Sequence, residues 1–153
     1  MRLHPLADLV PISFWSEPRT QEVADTPDPE LYRYGVFGRD FTAYFTVNPK
    51  PAYSVRIKLC QTAALSAPGN SATSIAIQGK TVAADVDIAA TAGGLSKAAD
   101  LVFNDVRPEH GVIAIRFWHS AAGQAMVQAI EVAPGPSTPG AKPVTLESAK
   151  ARQ

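Results

Sequence analysis

Cysteine is nearly absent from this chain: Cys60 is the only one in 153 residues. That excludes an intrachain disulfide and any multi-cysteine metal site, and leaves the thiol as a small, buried hydrophobe. Charge is scarce as well. Only 18% of residues are charged, and Lys plus Arg equals Asp plus Glu at 14 each. With no net charge and no basic run, a nucleic-acid partner or an anionic membrane surface is disfavoured. No uninterrupted apolar stretch reaches the roughly 18 residues of a membrane-spanning helix. Between Met1 and Pro11, Pro5, Asp8 and Pro11 interrupt the apolar core that an export signal needs, so no signal peptide is expected and the compartment stays open.

The motifs of common enzymes are missing too. No serine occupies a Gly-x-Ser-x-Gly elbow, and no Gly-x-x-x-x-Gly-Lys loop is present. Gly93-Gly94 lacks the third glycine and the preceding strand of a dinucleotide fingerprint. His4, His110 and His119 fall in an arm, a turn and a strand end, without metal-ligand spacing, and read as solvent-exposed loop residues. Asp85 and Asp87, two apart, would share one face of a strand as paired carboxylates or calcium ligands, but no glycine-spaced acidic loop surrounds them. Neither a cofactor nor a metal is expected.

What the chain does have is apolar content, 46% of its residues, enough for one ordinary core in a domain of this length. Residues 1–30 hold five of the thirteen prolines and read as an extended N-terminal arm with a short strand near Leu9 to Phe14. Residues 134–153 begin Pro-Gly-Pro-Ser-Thr-Pro-Gly and read as a flexible C-terminal linker or tail, with Val144 and Leu146 its only docking hooks.

Between these ends the apolar period is two. Phe41, Ala43, Phe45 and Val47 share one strand face, and Tyr53, Val55, Ile57 and Leu59 share another. The turn Asn48-Pro49-Lys50-Pro51 suggests that the two pair as a hairpin. Strands are further expected at Ser74 to Ile77, Thr81 to Val86, Leu101 to Val106, Val112 to Trp118 and Met126 to Val132. The alanine-rich stretch Ile88 to Ala99, broken by paired glycines, reads as a loop with at most one helical turn. About eight short strands with frequent turn signals define an all-β, antiparallel β-sandwich of jelly-roll type.

Aromatic placement carries the only ligand signal. Tyr32, Tyr34 and Phe37 cluster before the first strong strand, Trp15 lies in the arm, and Trp118 stands at a strand end. Rings outside the core positions can stack on the apolar face of a pyranose, with Arg33, Arg39 and Asp40 placed to bond its hydroxyls. The plainer explanation is that the rings pin the arm to the sandwich. For Trp15 and Phe37 that explanation is preferred.

The ordered set Leu31-Tyr32-Arg33-Tyr34-Gly35, Ala52 to Leu59, Ile75 to Val82, Val86-Asp87-Ile88 and Gln128 to Val132 resembles the malectin-like domain over roughly residues 31–133. The resemblance implies a carbohydrate-binding module, attached in bacterial relatives to glycoside hydrolases of the β-galactosidase type. It places a ligand tyrosine on Tyr34. An acidic residue followed by an aromatic pair gives way here to Cys60-Gln61-Thr62-Ala63-Ala64, and an aspartate before the last strand to Gly123-Gln124.

Three readings follow. The chain is a glycan-binding accessory module, with Tyr34, Tyr32, Trp118, Arg33 and Asp40 as its ligand-binding residues and an oligosaccharide and the parent hydrolase as its partners. Or it is a structural or interaction sandwich within a multi-domain glycosidase. Or it is a small hydrolase using carboxylates such as Asp85, Asp87 or Asp105. The first is the expectation. Pairing through edge strands leaves an oligomer open.

Overall fold

The computed structural model describes residues 2–5, 12–62, 72–121, 123–137 and 143–144; for 2–5 and 143–144 only the backbone is described. Twelve strands occupy these residues: β1 Arg2–Pro5, β2 Ser13–Ser16, β3 Tyr34–Gly38, β4 Asp40–Thr46, β5 Tyr53–Leu59, β6 Thr73–Ile77, β7 Lys80–Val86, β8 Ala99–Val106, β9 Val112–Trp118, β10 Ala125–Val127, β11 Ala129–Pro134 and β12 Pro143–Val144. They form a five-stranded sheet, β1-β4-β9-β6-β7, a four-stranded sheet, β11-β5-β8-β12, and a three-stranded sheet, β10-β3-β2. All pairings are antiparallel except that of β12 with β8. The all-β sandwich expected from the sequence is the architecture found.

Alternation in the sequence becomes alternation across each sheet. In β9, Ile113, Ile115 and Phe117 are fully buried, with the residues between them only half-buried. They share one core cluster with Phe41 and Ile75 of the flanking strands and with Val55, Ile57, Leu59 and Leu101 of the four-stranded sheet. The rings of Phe41 and Phe117, paired neighbours on β4 and β9, stack with centroids 5.2 Å apart. Removing either ring would cost about 3–5 kcal/mol.

One expected pairing is corrected. β4 and β5 do not form a hairpin: β4 lies between β1 and β9, and β5 lies between β11 and β8 in another sheet. Each strand has one wholly apolar face, and the two faces are better satisfied by opposing one another across the core than by lying side by side. The connection that carries the chain over contains two prolines, which have no N–H for a ladder. It is pinned where the Tyr53 hydroxyl donates to the Asn48 carbonyl at 2.6 Å.

The reversal between β6 and β7 is a true two-residue hairpin. Gln78 and Gly79 both have positive φ, 52° and 74°, as a type I′ turn requires. Gln78 is held there by its own amide. Nε2 donates to the carbonyls of Arg107 and Val112, and Oε1 accepts from the Ala114 N–H.

Helix α1, Ile88–Ala92, is slightly more than the single turn expected. Asp87 caps it by accepting from the Ala90 N–H at 2.9 Å, and Gly93 ends it in the left-handed conformation. The arm is laid along the sandwich, β1 against β4 and β2 against β3. Its second strand starts at Ser13, and residues 9–11 of the strand expected near Leu9 to Phe14 lie outside the described residues. The same is true of Leu146 and most of the expected tail, whereas Val144 belongs to β12.

Candidate functional site

Tyr34 opens β3 and is 52% exposed. It pairs with Ser16, and Val36, two residues on, pairs with Phe14. Phe14 and Tyr34 therefore occupy one face of the β2–β3 ladder as diagonal neighbours, about 7–8 Å apart in the usual geometry. Phe14 is the most exposed large hydrophobic residue described, at 72%. The opposite face is built to hold these strands still: Trp15 packs toward the core, over Gly35 and at 5.7 Å from the Phe37 ring. Two rings thus face solvent from a rigid ladder.

Polar groups lie at the Tyr34 end of this platform. Glu17 follows β2, donates its N–H to the Arg33 carbonyl at 2.6 Å, and accepts from the Thr62 hydroxyl at 2.5 Å. Beneath them Cys60 is fully buried. Burial, reinforced by the Glu17 charge, pushes its thiol up to about 11, so it is neither a nucleophile nor a ligand near neutral pH. The Gln128 amide closes the region by bonding both the N–H and the carbonyl of Cys60.

The structure separates the five residues expected to act together. Tyr32 is corrected first: it is 0% exposed and presents no ring face to a ligand. It ends a 3-10 turn, Pro29–Tyr32, that lays the ring on the outer side of the four-stranded sheet. There its hydroxyl donates to Asp100. Asp100 is 3% exposed and also receives Lys58 Nζ at 2.9 Å and Arg56 at 3.2 Å, while Arg56 bonds the Ser137 hydroxyl at 2.7 Å. Burial first, and the Asp100 bond second, raise the Tyr32 phenol far above its ordinary value. This is a structural ion cluster, and each buried charge has its partner.

Arg33 is also committed. Its Nε donates to the Gln21 carbonyl at 2.9 Å and its guanidinium pairs with Glu30. Asp40 and Trp118, by contrast, do come together, as paired neighbours on β4 and β9 in the five-stranded sheet. Arg116 joins them: it bonds both Asp40 oxygens, at 2.9 and 2.6 Å, and its guanidinium sits 4.7 Å from the Trp118 ring centre. The Asp40 bond raises the guanidinium still further above its ordinary value. This second aromatic patch is on a different sheet from Tyr34.

The carboxylates considered for catalysis are dispersed. Asp85 accepts from the Ser120 hydroxyl at 2.6 Å and from Ser74, Asp87 is the helix cap, and Asp105 pairs with Arg107 at 3.7 Å. Asp87 follows β7 instead of sharing a strand face with Asp85. His119 is buried rather than exposed, and its Nδ1 accepts from the Ala121 N–H. No group of three or more metal-ligating side chains occurs among the described residues.

Sequence reasoning overlooked Phe14. A signal was present: in Ser13-Phe14-Trp15-Ser16 two consecutive rings must point to opposite faces of any strand, so one of them faces outward.

The sandwich thus carries two exposed rings on one ladder. The family model of the malectin domain matches residues 10–137, and the chain belongs to that family. Among solved structures it is similar to the ANXUR2 extracellular domain from Arabidopsis thaliana, with 16% identity and a TM-score of 0.66, over 85% of this chain and 42% of that one. It is similar to the ANXUR1 extracellular domain from the same plant, with 14% identity and a TM-score of 0.66, over 82% and 42%. A β-glucuronidase of Bacteroides uniformis matches with 18% identity and a TM-score of 0.62, over 78% of this chain and 13% of the enzyme. At these identities the likeness is one of fold, and the chain spans less than half of each. No curated protein matches it in sequence.

Proposed function

We propose that this chain is a non-catalytic carbohydrate-binding module that accompanies a glycoside hydrolase. The observation that carries the reading is the exposed Phe14–Tyr34 pair on a rigid ladder in a malectin-family sandwich. Each ring offers a flat apolar face to a sugar ring, and the exposed Ser16 on the same ladder face supplies a hydroxyl partner. The likeness of fold to part of a bacterial β-glucuronidase supports the hydrolase setting. In this reading Trp118 and Asp40 form a second contact patch, and Tyr32 and Arg33 support the scaffold.

A glycan array tests it. Binding lost on Tyr34→Ala or Phe14→Ala, with an unchanged melting temperature, is the expected result. Silence across a broad array would remove the reading.

A second reading is favoured by the engagement of Arg33 beside Tyr34, and of Asp40 beside Trp118, within the protein, which leaves each aromatic patch few polar partners. The domain would then be a structural unit of a multi-domain glycosidase. Its deletion would impair folding of the parent enzyme while leaving sugar affinity unchanged.

A further inference from the structure

Two large rings stand on the outer face of the five-stranded sheet, and the strand register places them there. Between β4 and β9 the pairs Phe41–Phe117 and Ala43–Ile115 are fully buried in the core. The pairs that alternate with them, Asp40–Trp118, Thr42–Arg116 and Tyr44–Ala114, therefore share the opposite face. Tyr44 is 40% exposed and Trp118 is half-buried. Four positions along the strands and one strand across separate the two, about 14 Å in the usual sheet geometry.

Arg116 stands between the rings. Its neighbours across the ladders, Thr42 on β4 and Ala76 on β6, are small and buried. Of the N–H groups of its part-exposed guanidinium, one on Nε and one on Nη2 bond the Asp40 carboxylate. The remaining N–H groups have no hydrogen-bond partner among the described residues. The same guanidinium lies over the Trp118 ring, which fixes the orientation of the indole.

Two rings with a hydrogen-bonding row between them match a ligand that is apolar on its ring faces and hydroxylated at its ring edges. The Asp40 charge balances that of Arg116, so the row exerts no net pull on a phosphate, a polyuronate or an anionic membrane. The small residues around Arg116 give an apolar protein partner no continuous aliphatic patch to pack on. The span between the rings exceeds a single pyranose, so a ligand that touches both is an oligosaccharide lying along the sheet. Phe14 and Tyr34 belong to another sheet, so either surface can be disabled without the other.

We propose that, within the carbohydrate-binding reading on which this rests, the outer face of β4 and β9 is a second site, suited to a neutral, unbranched oligosaccharide that reaches from Trp118 to Tyr44. The two rings stack on sugars at its ends. Arg116 donates to the hydroxyls of the sugars between them, and the Asp40 oxygens accept from those hydroxyls.

The test uses the whole chain, ¹⁵N-labelled, with the ladder disabled by Phe14→Ala and Tyr34→Ala together. The probes are the hexasaccharides of cellulose, laminarin, starch, mannan and xylan. At least one should give saturable shifts of the Ala114 amide and the Trp118 indole N–H, with a dissociation constant at or below about 1 mM. Its disaccharide, and hexagalacturonate, should each bind about tenfold more weakly or worse. Adding Tyr44→Ala, or Trp118→Leu where the melting temperature is kept, should weaken the best hexasaccharide by a similar factor. Equal affinity for the disaccharide, a preference for hexagalacturonate, or unchanged affinity with Tyr44→Ala would overturn the proposal. So would silence of this face while the unmodified chain binds the same sugars through Ser16 and Tyr34, a result that leaves the ladder reading standing. Silence of both faces would remove both. A concentration-dependent dimer that disappears with Tyr44→Ala would also overturn the proposal, because the face would then belong to a second copy.

Discussion

Trp15 lies across Gly35 so closely that a Cβ at position 35 would fall well inside van der Waals contact with three atoms of the indole. Gly35 is thus a matter of space, since its backbone is ordinary strand. Gly35→Ala should displace the ring and destabilise the domain by about 1–3 kcal/mol. Urea unfolding would measure this, and a red-shifted tryptophan emission would report the displaced indole.

The same indole carries a buried Nε1–H without a hydrogen-bond partner among the described residues. An unsatisfied buried donor costs about 1–3 kcal/mol. Trp15→Phe removes that donor along with part of the ring, so its measured loss of stability should be smaller than the roughly 3–5 kcal/mol of a large core truncation such as Phe117→Ala. An equal or larger loss would show that the indole nitrogen is satisfied.

Asp100 is the only carboxylate that meets Lys58, Arg56 and the Tyr32 hydroxyl together among the described residues. Asp100→Asn would take the anion away from the nearly buried Lys58 and leave Arg56 with the exposed Glu131, at 3.7 Å, as its one carboxylate among the described residues. A loss of about 3–5 kcal/mol is expected. Tyr32→Phe deletes one hydrogen bond and should cost about 1–3 kcal/mol. If Asp100→Asn proves neutral, the cluster is not what holds the Tyr32 turn against the sheet.

Stability should fall on the alkaline side, in two parts. Burial keeps the Cys60 thiol protonated up to about 11 in the folded chain, against an ordinary value of 9. Between those values the unfolded chain has lost the proton and the folded chain keeps it, so unfolding is favoured as pH rises. The full span corresponds to about 3 kcal/mol. The Tyr32 phenol, raised by burial and by Asp100, adds a similar downward slope above its ordinary value of 10. Denaturant midpoints from pH 8 to 11 should show Cys60→Ala removing the first part and Tyr32→Phe the second.

Much of the sandwich is legible in the sequence because alternation is a local property. Phe41 to Val47, Tyr53 to Leu59 and Val112 to Trp118 each announce a strand with one buried face, and each is found. Partnership is not local. The two prolines after Asn48 mark a change of direction without saying whether the chain returns in the same sheet or crosses the core.

The candidate site follows the same division. Tyr34 is legible from its position in the ordered segments, and its exposure agrees with a ligand role. Tyr32 reads as its twin, two residues earlier, but is taken inside by a carboxylate 68 residues further along. No window around residue 32 contains that information. Asp40 and Arg33 look available for a ligand until Arg116, Gln21 and Glu30 are seen to use them.

The crossing from β4 to β5 also bears on how fast this chain can find its structure. The longest stretch of ladder on β4 forms only when residues 40–46 meet residues 112–118, and β5 must await Ala129–Pro134 on one side and Ala99–Val106 on the other. Apart from the β6–β7 reversal, few of these contacts are available early to offset the entropy of closing long loops. Refolding from urea should therefore take milliseconds to seconds, the range of other non-local β-sandwiches. A microsecond phase that recovers the full Trp15 and Trp118 fluorescence would contradict it.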